Sequence, residues 1–242
     1  MKKGFGLNAS ADPTARDALI VRKSLCDQIY EQLKSDIIHQ NIAFGEKLVN
    51  REFQRKFNVS STPIRDAINR LYQDGLVESI TNSGARVVSL EPDFVIDVSN
   101  LLSILSRGAV DQIVRTRRLD DLVRRLDPIM ARYDTVRSLD DYVQLDKEFH
   151  QSFFDCCGNQ QLASVFEHYS VWTEILVRMA FFGRDDQAER IQQHERILKN
   201  AQSGDVILLR EEVTYHYEQS AEWFAAHPET IGQRRTEEPA GL

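Results

Sequence analysis

Residues 58–90 read NVSSTPIRDAINRLYQDGLVESITNSGARVVSL, and the fold turns on this stretch. Ser60, Ser61 and Thr62 supply capping hydroxyls, and Pro63 follows at a place where a missing N–H costs a helix nothing. A helix therefore begins here. It turns Ile64, Ala67, Ile68 and Leu71 inward and leaves Arg65, Asp66, Asn69 and Arg70 more exposed. Asp74-Gly75 ends it, because glycine suits the left-handed position after a helix. Leu76–Ile80, Thr81–Gly84 and Ala85–Leu90 then read as strand, turn and strand.

Upstream, Leu25, Ile29, Leu33 and Ile37 form one apolar stripe and predict a helix that ends near His39. A short helix is expected from Asn50 to Phe57, capped by Asn50 and broken at Asn58-Val59-Ser60. Three helices followed by a hairpin is the order of a winged helix-turn-helix. Beyond Glu91-Pro92-Asp93 every long segment has helical period. Helices are expected near 93–117, 119–134, 138–157, 159–182, 185–203 and 205–225, with breaks at Gly158-Asn159, Gly183 and Ser203-Gly204-Asp205. The expected class is mainly α, a winged helix-turn-helix followed by an all-α antiparallel six-helix bundle. The expected divisions are a disordered arm at 1–20, a DNA-binding domain at 21–90, a helical effector domain at 91–226 and a disordered tail at 227–242.

With 42% hydrophobic and 28% charged residues among 242, the composition excludes a disordered chain. No apolar run approaches the ~20 residues of a membrane span, and Met-Lys-Lys is followed by no export-type stretch, so a cytoplasmic protein without a membrane partner is expected. Cys26, Cys156 and Cys157 lack the spacing of a disulfide framework or zinc ribbon and should be reduced and buried. The net charge of −7 conceals an asymmetry: residues 1–90 carry 13 Lys plus Arg against 10 Asp plus Glu, and the remainder 17 against 27. The basic surplus thus lies in the first third, where a nucleic-acid partner would need it.

At the start of the 61–73 helix, orphan N–H groups from Thr62 to Arg65 favour phosphate, and Ser61, Thr62 and Arg65 can reach base edges. The same residues also fit an ordinary surface helix. The run Gly45-Glu46-Lys47-Leu48, Arg51-Glu52-Phe53, Val59-Ser60-Ser61-Thr62-Pro63-Ile64-Arg65-Asp66-Ala67, Leu71 and Asp74-Gly75-Leu76-Val77 resembles the N-terminal domain of GntR-type regulators. The helical remainder resembles the effector domain of their FadR-like branch. The resemblance, over residues 22–226, implies a homodimeric regulator, often a repressor, of a short palindromic double-stranded DNA operator. It implies DNA contacts from Arg51, Ser60, Thr62 and Arg65, with Asn82-Ser83-Gly84 as the wing tip. Ser61 stands where the family usually has arginine, and Gln54 where it usually has alanine, so the operator is expected to differ.

Asp146 and His150 lie four apart, on one helix face and about 6 Å apart along the axis. His194 is flanked at helical spacing by Ile191, Ile197, Leu198 and Ala201, and His216 by Leu209, Val213 and Trp223, so both point to apolar sides. Taken singly, each histidine reads better as a core residue satisfied by a hydrogen bond, and spacing alone does not bring the four together. The resemblance does, since one subgroup of these effector domains carries an Asp-x-x-x-His pair and two later histidines that bind a divalent metal. It implies one divalent ion per chain on Asp146, His150, His194 and His216, a donor set that suits zinc, nickel, iron or manganese, with zinc or nickel expected. Such a site keeps about +1 of charge and invites the carboxylate of a small organic-acid effector. Relatives often place an arginine and a glutamate where Ser103 and Arg107 stand; these, with Arg178, are the expected polar pocket residues, and Arg115 is a further candidate cation. His39, His168 and His227 are expected at the surface.

Two other readings compete. A metalloenzyme would use the ion to activate water, but Glu148 lies two residues from His150 and is a poor general base, and the N-terminal third would have no role. A structural scaffold would use the ion only to clip helices together.

Overall fold

A computed structural model describes residues 24–81, 84–180 and 184–231. The expected arm, the Asn82-Ser83 part of the wing tip and the tail from 232 lie outside them. The N-terminal unit comprises α1 (Leu25–Ile38), β1 (Lys47–Val49), α2 (Asn50–Phe57), α3 (Ser61–Gln73), β2 (Val77–Thr81) and β3 (Gly84–Val87). The bundle comprises α4 (Pro92–Arg115), α5 (Leu119–Met130), α6 (Leu139–Cys156), α7 (Gln160–Ala180), α8 (Arg184–Ser203) and α9 (Val206–Ala226), with a 3-10 turn at Tyr133–Thr135.

A capping box starts α1: the Asp27 N–H donates to Ser24 Oγ at 3.0 Å while Ser24 N–H donates to Asp27 Oδ2 at 2.9 Å. Its inner face of Ile29, Leu33 and Ile37 packs on Ile64, Ile68 and Leu71 of α3, all buried. Arg70 locks the pair from outside, donating to Asp27 Oδ1 at 2.6 Å with its guanidinium 3.8 Å from the Tyr30 ring centre. Two caps differ from expectation. Val49, not Asn50, caps α2, and Asn50 is buried within its first turn. Ser60 caps α3 by backbone position alone, since its hydroxyl makes no capping bond. Gly75, at φ +74°, closes α3 as expected.

β1 is the element periodicity did not reveal. It makes the hairpin a three-stranded antiparallel sheet in the order β1-β3-β2, with Leu48 opposite Ala85 and Val49 opposite Gly84. A Cβ on Gly84 would lie 1.9 Å from the Leu48 carbonyl oxygen, so glycine is what allows β1 to approach.

In the bundle, α4 packs along α9 and also meets α6 and α7, while α5 and α8 close the far side. Ser138 and Asp205 cap α6 and α9 by accepting from Asp141 and Leu208 N–H groups. Past α9 the expected structureless tail instead holds a 3-10 turn at Pro228–Thr230, with the His227 ring stacked 4.4 Å from Trp223. His227 is therefore half-buried, whereas His39 and His168 are exposed. The three cysteines are free thiols; Cys156 and Cys157 are buried and Cys26, contrary to expectation, is only half-buried.

Two glycine substitutions should move stability in opposite directions. Gly84→Ala must separate β1 from β3 and should cost about 1–3 kcal/mol or more. Gly108→Ala, in the middle of α4 with Leu162 Cδ2 at an ordinary 3.7 Å, should gain about 0.5–1 kcal/mol from helix propensity. Urea unfolding followed by circular dichroism measures both, and a Gly84→Ala chain as stable as the parent would show that the sheet edge moves freely.

Candidate DNA interface and metal centre

The turn between α2 and α3 leaves the polar start of α3 on the surface. Arg51, Ser60, Thr62 and Arg65 are exposed and Ser61 is half-buried, while the same helix buries Ile64 and Ala67 completely. A shallow concavity beside this end is lined by Arg51, Gln54, Arg55, Asn58, Val59 and Ser60. Of the expected contact residues, Arg51 and Ser60 line it. Gly84, the described part of the wing tip, opens β3.

The second site lies inside the bundle. α6 presents Asp146 and His150, α8 presents His194 and α9 presents His216, none more than 4% exposed. One ligand atom from each histidine falls within a group no wider than 4.8 Å. The rings are close, with centroids 5.2 Å apart for His150 and His194, 5.0 Å for His150 and His216, and 4.8 Å for His194 and His216. Asp146, outside that group of three, lies beside two of its members, with Oδ2 3.8 Å from His150 Nε2 and Oδ1 3.8 Å from His194 Nε2.

Each imidazole is held from behind at Nδ1. His194 Nδ1 meets the Tyr133 hydroxyl at 3.1 Å, His150 Nδ1 the Tyr217 hydroxyl at 3.0 Å, and His216 Nδ1 the Gln193 amide oxygen at 2.7 Å. An amide oxygen only accepts, so His216 carries its proton on Nδ1 and keeps a lone pair on Nε2. Phe149 stacks on His194 at 3.9 Å and fixes its plane. Burial sets the protonation states. It pulls His150 down to about 3, and with His150 and Arg190 nearby it holds His194 well below the ordinary imidazole value. Burial also depresses His216, helped by His194 and His150. Burial pushes Asp146 up to about 7, with Arg190 pulling the other way.

Three neutral imidazoles and a carboxyl fit a divalent ion. Asp146 Oδ1 and His194 Nε2, both fully buried, have no hydrogen-bond partner among the described residues, so the fold sets two donors facing the same gap. Ser99, Thr173, Arg190, Tyr217 and Ser220 line a small chamber together with Asp146, His150 and His216. The expected polar pocket residues do not. Arg178 pairs with Asp140 and Glu174 at 2.7 and 3.2 Å, Arg107 is exposed, and Ser103 is buried away from the chamber. Arg115 is likewise exposed and donates to Gln112. Arg190 is the cation the sequence reading missed. It stands four residues before His194, on the same face, and that spacing was the available signal.

Residues 25–87 match the family described as bacterial regulatory proteins, gntR family, and residues 97–219 match the FCD domain. The chain belongs to the GntR family. It is 24% identical over 199 residues to an uncharacterized HTH-type transcriptional regulator, YdhC of Bacillus subtilis, covering 81% of this chain and 88% of that protein. It is 25% identical over 199 residues to the HTH-type transcriptional repressor RspR of Escherichia coli, covering 81% and 86%. Its fold is similar to that of E. coli McbR/YncC, with TM-score 0.61, 16% identity and coverage of 85% of this chain and 100% of that one. A putative transcriptional regulator GntR from Rhodococcus sp. RHA1 gives TM-score 0.62 at 15% identity, covering 83% and 98%. The chain is therefore a DNA-binding transcriptional regulator with an FCD domain, not an enzyme. No described helix is long and apolar enough to cross a membrane.

The hydrogen bonds behind the imidazoles carry their own test. Gln193→Leu leaves His216 Nδ1–H buried without an acceptor and should destabilise chelator-treated protein by about 1–3 kcal/mol in urea unfolding. An unchanged midpoint would show that His216 finds another partner.

Proposed function

We propose that this regulator is a cytoplasmic homodimeric repressor that reads a palindromic operator through Arg51, Ser60, Ser61, Thr62, Arg65 and the wing tip at Asn82-Ser83-Gly84. In this reading a small organic acid, bound beside a divalent ion on Asp146, His150, His194 and His216, alters its DNA affinity. The observation that carries the reading is the convergence of three neutral imidazoles and an orphaned carboxyl, from three helices, on one gap beside a chamber. Zinc or nickel suits this nitrogen-rich donor set. A bound ion would supply a positive centre for the effector's carboxylate. RspR, a relative named as a transcriptional repressor, supports the sign of regulation.

The chain's own residues supply the coupling. α6 carries Asp146 and His150, and at its start Asp140 accepts from Arg178 and lies 3.8 Å from His39 Nε2 at the end of α1. α7, which contributes Thr173 to the chamber, also packs on α1. A shift of α6 and α7 on ligand binding is thus felt by the winged helix, and DNA affinity changes by the ligand's differential affinity for the two arrangements, typically about 1–3 kcal/mol.

Purification without an affinity tag should yield close to one divalent ion per chain, and His194→Ala should abolish it. Protein that stays metal-free after incubation with zinc, nickel and manganese would contradict the ligand set. Organic acids should raise the melting temperature of loaded protein but not of chelated protein; equal binding to both would remove the ion from the effector site.

On the DNA side, Arg65→Ala should weaken operator binding by about 1–3 kcal/mol, with a smaller effect on random DNA. Equal loss on both would make Arg65 a phosphate contact, and absence of salt-sensitive binding to the protein's own promoter region would count against the operator assignment.

A further inference from the structure

Arg190 stands between two spaces in the bundle. It lines the inner chamber with Asp146, His150 and Thr173, and it is the one lysine or arginine among the described lining residues. It also lines a second, outer cleft with Gln193, Gln219, Ser220 and Trp223. Arg190 and Ser220 are common to both spaces, and Arg190 Nη1 donates to Ser220 Oγ at 3.3 Å, so this pair forms the partition between them. No carboxylate among the described residues is paired with Arg190. Its one hydrogen-bond partner there is a neutral hydroxyl that already donates to the His216 carbonyl at 3.3 Å. Beyond the partition, Thr173 is 7% exposed and lines the chamber, and its buried Oγ1 has no hydrogen-bond partner among the described residues. A half-buried guanidinium whose described partner is a neutral hydroxyl, beside a buried hydroxyl with none, leaves room for a polar occupant between them.

Charge and size narrow the occupant. With a divalent ion on the histidine cluster and Asp146 ionised, Arg190 raises the local charge to about +2, which one carboxylate halves and two carboxylates balance. The inner chamber measures ≈ 20 Å³ and the outer cleft ≈ 60 Å³. A space of the first size holds about one water. A molecule larger than that must therefore displace the Arg190–Ser220 contact and occupy both spaces, and a carboxylate can do so by giving Arg190 a charged acceptor in exchange for a weak neutral one.

We propose that the effector is a short dicarboxylate, one carboxylate at the histidine cluster and the other on Arg190, with the Thr173 hydroxyl donating to it. The proposal rests on the organic-acid reading above and extends it to the ligand's second charge. It makes Arg190 the specificity-determining residue and the Arg190–Ser220 contact the point at which ligand entry changes the packing of α8 on α9.

Calorimetric titration of the full-length, metal-loaded protein with malonate, succinate and glutarate, against acetate, propionate, butyrate and inorganic phosphate, tests this. At least one dicarboxylate should bind about 10-fold or more tightly than any monocarboxylate, the factor expected for a hydrogen-bonded charged pair. Arg190→Gln should erase that preference while metal analysis still finds the ion, Arg190→Lys should restore part of it, and Thr173→Val should weaken dicarboxylates selectively. Equal affinity for mono- and dicarboxylates, or an unchanged preference in Arg190→Gln, would overturn the proposal and leave the organic-acid reading standing. Inorganic phosphate binding as tightly as the best dicarboxylate, with the same dependence on Arg190, would overturn it in favour of a phosphate site. If no carboxylate of either class binds the loaded protein, the organic-acid reading fails and this proposal with it. The wild-type selectivity decides even if Arg190→Gln proves unstable.

Discussion

Four groups that water solvates strongly, the Asp146 carboxyl and the imidazoles of His150, His194 and His216, lie at 4% exposure or less inside a helical bundle. Burying such groups costs several kcal/mol in total unless each is neutralised or bonded. The protein does both. The imidazoles lose their charge to desolvation, and each passes its Nδ1 to an outer partner: Tyr133, Tyr217 or Gln193. The second requirement shapes the neighbourhood, since Tyr133 must come from the turn after α5 and Gln193 must share α8 with His194. Even the α5–α6 connection is tied to this centre through one phenol.

The N-terminal unit meets a different constraint, because α3 must bury one face and display the other over 13 residues. Ile64, Ala67, Ile68 and Leu71 fill the inner face, so the polar start from Ser61 to Arg65 is fixed relative to the core rather than carried on a loop. Arg70 illustrates the division. It sits late on the same helix but is spent on Asp27 and the Tyr30 ring, and so belongs to the α1–α3 seam rather than to the exposed polar start of α3.

Much of this was legible from residue spacing. The apolar periods gave every helix to within a few residues, and Asp74-Gly75 gave the end of α3, because backbone and burial there agree with local preference. β1 escaped because three residues carry no period, and its position is set by a partner strand and by Gly84 far along the chain. Asn50 has the chemistry of a cap but is drawn one position into α2 when β1 ends at Val49. For the site, spacing could name the metal-type residues but only the family resemblance could assemble them, since Asp146 and His216 are brought together by the packing of α6, α8 and α9. Arg178 and Arg190 were indistinguishable by residue type. The phase of α8 turns Arg190 to the chamber, whereas Arg178 is drawn outward by Asp140 and Glu174.

Magnitudes limit how the two units could communicate on the proposed reading. A polar contact between them, His39 with Asp140, which is ionic only when His39 is protonated, joins two well-exposed side chains, 39% and 71%, at 3.8 Å. Exposed pairs of this kind contribute about 0–1 kcal/mol, less when salt is present, which falls short of the 1–3 kcal/mol that allosteric coupling usually commands. The pair can register the position of α6 without holding it. The larger lever is α7, which packs on α1 at one part of its length and at another closes the chamber with Thr173, Leu176 and Val177. Close-packed apolar contacts shift between discrete arrangements rather than deform gradually. On the proposed reading, a ligand that separated Arg190 from Ser220 would act on the bundle through the seating of α7, α8 and α9, and the winged helix would follow the helix it is packed against.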